Sequence, residues 1–214
     1  MDFQISNRMR GMKPSVIREI LKQMSDPELI SFAGGNPAAD SFPAKEIAQF
    51  SAEMLEQDPV GVLQYSVTEG VPAAREAVRK FANRHYSVVK ANDDLILVSG
   101  SQQILDFVTK CLCNEGDVVA VENPAFLGAF LSFRCYGTKL VGVSMEEDGV
   151  NLEELEKVFA AEPKPRFFYC IPNFQNPTGR TMSEAKRKAV YALSVKYGVP
   201  VLEDDPYGEL RIAG

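Results

Sequence analysis

The chain has no tryptophan, one histidine, and no cysteine pair at C-x-x-C spacing among its 214 residues. With His85 as the only imidazole, a Ser-His-Asp or Cys-His device has little to draw on, and Arg84-His85-Tyr86 reads as a solvated helix end. The four cysteines, Cys111, Cys113, Cys135 and Cys170, do not make a zinc site of the usual Cys/His type. No apolar run reaches the roughly 18 residues of a spanning helix, so no membrane role is expected. Basic tracts are also missing. Acidic residues outnumber basic ones 29 to 23, giving a net charge of −6, which argues against nucleic acid as a partner. Met1-Asp2-Phe3-Gln4-Ile5 lacks the charged and apolar regions of a secretory leader, so a cytoplasm with reduced thiols is the expected compartment.

What is present is ordinary globular material, 45% hydrophobic and 24% charged. Pro14 can open a first helix, with Val16, Ile17, Ile20, Leu21 and Met24 at helical spacing. Pro43 opens a second, with Ile47, Phe50, Met54 and Leu55 expected inward, and Asp58-Pro59-Val60-Gly61 ends it. Gly70 to Tyr86 reads as a third, with Ala74, Val78 and Phe81 on one face. Then short apolar runs alternate with helical segments. The runs are 95–98, 118–121, 140–143, 167–171 and 199–203, and helices are expected from Ser101, after Asn123-Pro124, after Asn151, and from Ser183 to about Tyr197. Asn151 with Glu154 three residues on predicts a capping-box variant. Near-continuous apolar strands alternating with amphipathic helices predict an α/β fold: a mostly parallel sheet with helices on both faces. Ligands in such sheets bind beyond the carboxyl ends of the strands.

The residues after each run carry the chemistry. Ser99-Gly100-Ser101-Gln102-Gln103 makes a small-residue turn into a helix, an anion cradle or simply a Ser cap. Glu122-Asn123-Pro124-Ala125-Phe126 predicts a cap at Asn123 and Pro124 in the first helical position. Phe126 then projects from the first turn, either to stack on a planar ring or to join the core. Pro172-Asn173-Phe174-Gln175-Asn176-Pro177-Thr178-Gly179 holds a side-chain amide rigidly, or is a turn-rich loop without a ligand. Asp204 leaves a buried strand and calls for a cation, and Tyr207 brings a phenol to the same place. Together they match the needs of a phosphorylated pyridinium aldehyde: a phosphate at the helix start, a ring against Phe126, a ring N–H on Asp204, and a ring oxygen between Asn176 and Tyr207.

Asn176-Pro177-Thr178-Gly179 followed 28 residues after Asn176 by Asp204-x-x-Tyr207 resembles the pyridoxal-phosphate-dependent aminotransferases of class I/II (fold type I) over the whole chain. Phe32-Ala33-Gly34-Gly35-Asn36-Pro37, Leu63-Gln64-Tyr65-Ser66 and Gly100-Ser101-Gln102-Gln103 are similar to the 2-aminoadipate/kynurenine branch. The resemblance implies a transaminase acting on an amino acid and a 2-oxo acid, with pyridoxal 5'-phosphate held by Gly100, Ser101, Gln102, Phe126, Asn176, Asp204 and Tyr207. It implies Gly35 near the substrate carboxylate and Tyr65 reaching the cofactor phosphate of the other subunit of a homodimer. It also implies an N-terminal arm with part of the small domain over 1–60 and the beginning of the cofactor-binding domain over 61–214. Phe126 stands where many members have Tyr, so stacking is kept and a phenol is lost.

The family's lysine, which links to the cofactor and shuttles the proton, follows Asp-x-x-Tyr in a Ser-x-x-Lys-like setting, and none of the twelve lysines here has that context. Lys186, Lys188 and Lys196 read as a solvated helix face. The family's downstream arginines are absent as well. The chain therefore reads as the N-terminal half of an aminotransferase, inactive alone. A non-catalytic cofactor-binding module and a lyase or decarboxylase on the same scaffold are the alternatives. In the family's sheet order the runs at 95–98 and 199–203 flank strands that lie beyond residue 214, so a gap is expected between them.

Overall fold

The computed structural model describes residues 3–10, 12, 30, 35, 37–85 and 90–213, with the backbone alone for His85. The helix expected over 14–24, and most of the 30–37 segment, lie outside the described residues. The chain divides into two compact units, residues 13–98 and residues 1–12 with 99–214.

The unit over 13–98 is helical in its described part: α2 (Ala44–Gln57), α3 (Pro59–Leu63) and α4 (Pro72–His85), while α1 (Asn7–Arg10) belongs to the other unit. Asp58 closes α2 and caps α3, its carboxylate accepting from Gly61 N. Ile47, Phe50, Met54 and Leu55, expected inward, are exposed, as are Ala74, Val78 and Phe81. Helical spacing identifies the apolar face of a helix; it does not supply the surface that covers it. The run at 95–98 forms no strand. Its backbone is used locally instead: Leu95 N donates to Asp94, Leu95 O accepts from the Arg75 guanidinium, and Leu97 N donates to Glu69 O.

The other unit holds the sheet. Its strands are β1 (Val118–Asn123), β2 (Lys139–Glu146), β3 (Gly149–Val150), β4 (Phe168–Cys170) and β5 (Val201–Glu203), in the order β3-β2-β1-β4-β5. All pairings are parallel except the β2–β3 hairpin, which the apolar runs did not announce. The sheet is continuous, in place of the expected interrupted one, because 95–98 contributes no strand to it. The register Val121↔Tyr169↔Leu202 aligns the carboxyl ends of the three central strands at one edge.

Four helices cover the sheet: α5 (Ser101–Leu112), α6 (Leu127–Cys135), α7 (Leu152–Ala160) and α8 (Glu184–Tyr197). Alternate strand residues separate into two cores. Val119, Val121, Phe167, Tyr169 and Ile171 meet Leu105 of α5 and Ala129 and Phe133 of α6. Ala120, Val143, Phe168 and Cys170 meet Leu155 and Phe159 of α7 and Val190 of α8. Each fully buried Phe or Leu is worth about 1.5–3 kcal/mol relative to exposure.

The caps explain the helix ends. Asn151 caps α7 through Glu154 N. The reciprocal half of the expected capping box is missing, because the Glu154 carboxylate accepts from Ser144 N on β2 instead. Ser183 caps α8, and Gly198, at φ 66°, turns the chain out of it. Lys186 is not on a solvated face. It is 8% exposed, pairs with Glu146 and Asp148, and donates to Val150 O, because the β2–β3 hairpin folds over its turn of α8. Lys188 and Lys196 are exposed and pair with Glu184 and Glu156.

Candidate cofactor site

Three loops leave the carboxyl edge of the sheet. After β1 the chain does not enter a helix at Pro124. The helix α6 begins at Leu127 and Phe126 occupies its N-cap, with extended backbone. The expectation of Asn123 as cap and Phe126 in the first turn is therefore corrected: Asn123 is still paired in β1, so the turn falls three residues later. The Phe126 ring lies back over the Cα of Gly128, where a Cβ would overlap it, and packs at the edge of the α5/α6 core.

Before α5, Gly100 takes the N-cap at φ 83°, a left-handed conformation open to glycine, and no side chain caps the helix. This contrasts with α7 and α8, whose first-turn amides are taken by Asn151 and Ser183. Gln103 turns its side chain back to accept from Ser99 N. Ser101 is exposed at the helix start, and Gln102 donates to Gly128 O and Ser132 Oγ, tying α5 to α6. The positive end of α5 is thus left available to an anion.

After β4, the loop 172–179 is held by hydrogen bonds within the turn and to the end of β1, Pro124 and α8. Gln175 N donates to Arg180 O and Gly179 N donates to Gln175 O. The Asn176 amide Nδ2 is 3.4 Å from the Tyr207 hydroxyl, which follows β5. Asp204, the first residue beyond β5, fixes itself to β4 by donating its N–H to Cys170 O. Its side chain is half-buried, and among the described residues no cation pairs with it. Instead Tyr169 Oη donates to Asp204 Oδ2 at 2.9 Å. Burial holds the Asp204 carboxyl above its usual range; the Tyr169 hydrogen bond opposes this, and the Asp205 charge adds to it.

The structure thus joins Asn176 and Tyr207 on the loops after β4 and β5, Asp204 just beyond β5 with Tyr169 in β4, and Gln102 at the start of α5 with α6. Tyr65 and Gly35 belong to the other unit. There Tyr65 is almost fully exposed in the turn after α3, and Gly35 has φ 57° with open space around its Cα.

Three residues of this edge were not singled out from sequence. Tyr169 is hidden in an apolar run, where a phenol reads as one more aromatic. Glu122 is fully buried at the end of β1, its Oε2 accepting from Ile171 N and from Gln175 Nε2. Burial pushes its carboxyl up to about 7 against those two hydrogen bonds. The argument applied to Asp204, a carboxylate closing a buried strand, also applies to Glu122. Gln175 carried no signal beyond its place before Asn176.

The arrangement suits the group that the resemblance implies. The start of α5 carries no side-chain cap, Asp204 pairs with no cation among the described residues, and the Asn176 amide lies 3.4 Å from the Tyr207 phenol. Among the described residues no cluster of three or more His, Cys, Asp or Glu could hold a metal, and no helix is long and apolar enough to cross a membrane.

A family model for aminotransferase class I and II matches residues 27–213. The chain is 37% identical to aromatic-amino-acid aminotransferase 1 of Thermococcus litoralis over 98% of this chain and 51% of that protein. It is 39% identical to the 2-aminoadipate transaminase of Thermus thermophilus over 93% of this chain and 48% of that protein. The crystal structure of Pyrococcus horikoshii kynurenine aminotransferase, in complex with PMP, kynurenine as substrate and its product, superposes with a TM-score of 0.90 at 36% identity. That match covers 98% of this chain and 53% of that one. The chain spans about half the length of the curated relatives it matches.

Proposed function

The chain belongs to the class I and II aminotransferases, and on that footing we propose that the protein is a pyridoxal-phosphate-dependent transaminase of the 2-aminoadipate/kynurenine type. It moves an amino group between an amino acid and a 2-oxo acid. On this reading the residues of this chain would cradle the cofactor, and none of its twelve lysines stands in the setting of the family's linking lysine. A homodimer in the complete protein, a cytoplasmic location consistent with four free cysteines, and the division at residue 60 between arm and cofactor-binding domain belong to the same proposal.

The cofactor, when bound, supplies a protonated ring that takes up negative charge from the substrate carbon next to the amine. The residues of the chain do the rest. The start of α5, which no side chain caps, would offer the amides of Ser101 and Gln102 and the Ser101 hydroxyl to the phosphate. Phe126 would offer its face to the ring. Asp204 would keep a proton on the ring nitrogen, Asn176 and Tyr207 would bind the ring oxygen, and Gly35 and Tyr65 would serve the substrate carboxylate and the second subunit's phosphate.

The observation that carries this reading is Asp204: a half-buried carboxylate, hydrogen-bonded by a buried phenol, with no described cation to neutralise it. The test is a titration of the chain with pyridoxamine phosphate, followed by the ligand's fluorescence. Saturable binding weakened at least about tenfold in Asp204→Ala supports the reading. No saturable binding, or equal affinity in the variant, overturns it.

A further inference from the structure

We propose that Glu122 is a positioning residue, holding the Asn176-Pro177-Thr178-Gly179 turn against the carboxyl ends of β1 and β4 through the side chain of Gln175. The consequence for the cofactor rests on the reading that Asn176 binds the ring oxygen; the brace itself stands on contacts within the protein.

Gln175 is 1% exposed, and its amide is saturated. Nε2 donates both protons, to Glu122 Oε2 at 3.0 Å and to Pro124 O at 2.8 Å. Oε1 accepts twice, from Thr178 N at 2.9 Å and Thr178 Oγ1 at 2.7 Å. A side chain in this place for packing alone would be apolar, and a leucine would fill a similar volume with none of the four bonds to satisfy. The amide instead links three pieces of chain: the end of β1, the loop that carries Phe126, and the turn that carries Asn176.

Glu122 anchors the link. Its Oε2 also accepts from Ile171 N, the residue after β4, at 3.1 Å. One carboxyl oxygen thus joins β1, the exit of β4 and Gln175 at full burial. The second oxygen, Oε1, has no partner among the described residues. A group retained at such cost, with its useful contacts on one oxygen, is placed for what that oxygen holds. Asn176 is adjacent in sequence to the braced residue. Its amide lies 3.4 Å from the Tyr207 hydroxyl, so a slip of Gln175 moves Asn176 away from Tyr207.

The test compares the full chain with Glu122→Ala, Gln175→Leu, their double variant and Glu122→Gln, without and with pyridoxamine phosphate. Hydrogen exchange reads the protection of the Thr178 amide, with Val190 in α8 as the internal control. Glu122→Ala and Gln175→Leu are each expected to lower Thr178 protection at least about tenfold while Val190 is unchanged. The double variant loses no more than either single one, and Glu122→Gln stays within about threefold of the parent. The Kd for pyridoxamine phosphate is expected to rise about fivefold or more in both single variants and to stay within about twofold in Glu122→Gln. Unchanged Thr178 protection, or losses that multiply in the double variant, overturns the brace. A Kd unmoved while protection falls leaves a structural contact and overturns the positioning role. Should Glu122→Ala fail to fold, Gln175→Leu against Glu122→Gln decides by the same readings. If the parent chain binds no pyridoxamine phosphate, the cofactor reading falls, and the exchange measurement still judges the brace.

Discussion

Tyr169, fully buried in β4, donates its phenolic proton to Asp204 across the β4–β5 boundary at 2.9 Å. The ring is clamped edge-on by Phe133 at 5.4 Å, so the hydroxyl has one direction in which to point. Asp204 is thereby oriented before any cation reaches it.

Replacing Tyr169 by Phe keeps the ring and removes the hydrogen bond that favours the charged carboxylate. The Asp204 pKa is expected to rise further, seen by carbon NMR titration of its carboxyl group. The variant should lose about 1 kcal/mol in urea unfolding. An Asp204 titration identical to that of the parent would contradict the orienting role.

Glu122 links stability to pH. Its folded pKa of about 7 lies above the ordinary 4.5, so between these values the folded state binds more protons than the unfolded one. Stability contributed by this group is therefore full below about pH 4.5 and falls as pH rises to about 7. A shift of that size corresponds to about 3 kcal/mol. Glu122→Gln should flatten this slope, matching the parent near pH 4 and exceeding it at pH 8 in urea denaturation. Parallel pH profiles for the two proteins would refute it.

Lys186 and Lys188 stand two residues apart on α8 with opposite surroundings. Lys186 is buried beneath the hairpin and holds Glu146, Asp148 and Val150 O; Lys188 is exposed with Glu184. Lys186→Met should cost about 1–2 kcal/mol, and Lys188→Met at most about 0.5 kcal/mol. Equal midpoints in urea for the two variants would show that the hairpin contact adds nothing.

Borohydride treatment in the presence of pyridoxal phosphate should leave no stoichiometric pyridoxyl group at a single lysine. None of the twelve lysines stands in the setting of the family's linking lysine. Peptide mass spectrometry reads the outcome. One fully labelled lysine would show that another residue has taken over the link.

The α/β fold with a mostly parallel sheet was legible because β1, β4 and β5 are apolar runs bounded by turn residues, and because Asn151 and Ser183 announce α7 and α8. The strand ends were legible too: Asn176 and Tyr207 meet, and Asp204 emerges from β5 as its sequence position implied. The helix after β1 was misplaced because Asn123-Pro124 imitates a cap and first turn while Asn123 still belongs to β1. The run at 95–98 has strand composition, yet Asp94, Arg75 and Glu69 take its backbone groups, and nothing local to the run reveals that competition. Lys186 was misread because helical spacing cannot show that a hairpin distant in sequence closes over one turn of α8. Tyr169, Glu122 and Gln175 act through partners 35 to 53 residues away in the chain, and such pairing is a property of the sheet register.

The central claim is that Asp204 holds the proton of a pyridinium nitrogen. The most direct measurement is the nitrogen-15 shift of ring-labelled pyridoxamine phosphate bound to the chain, followed from pH 6 to 9. The account predicts a protonated ring nitrogen throughout this range in the parent, and a nitrogen that titrates as in free solution in Asp204→Ala. A bound ring nitrogen that titrates alike in both proteins would contradict it.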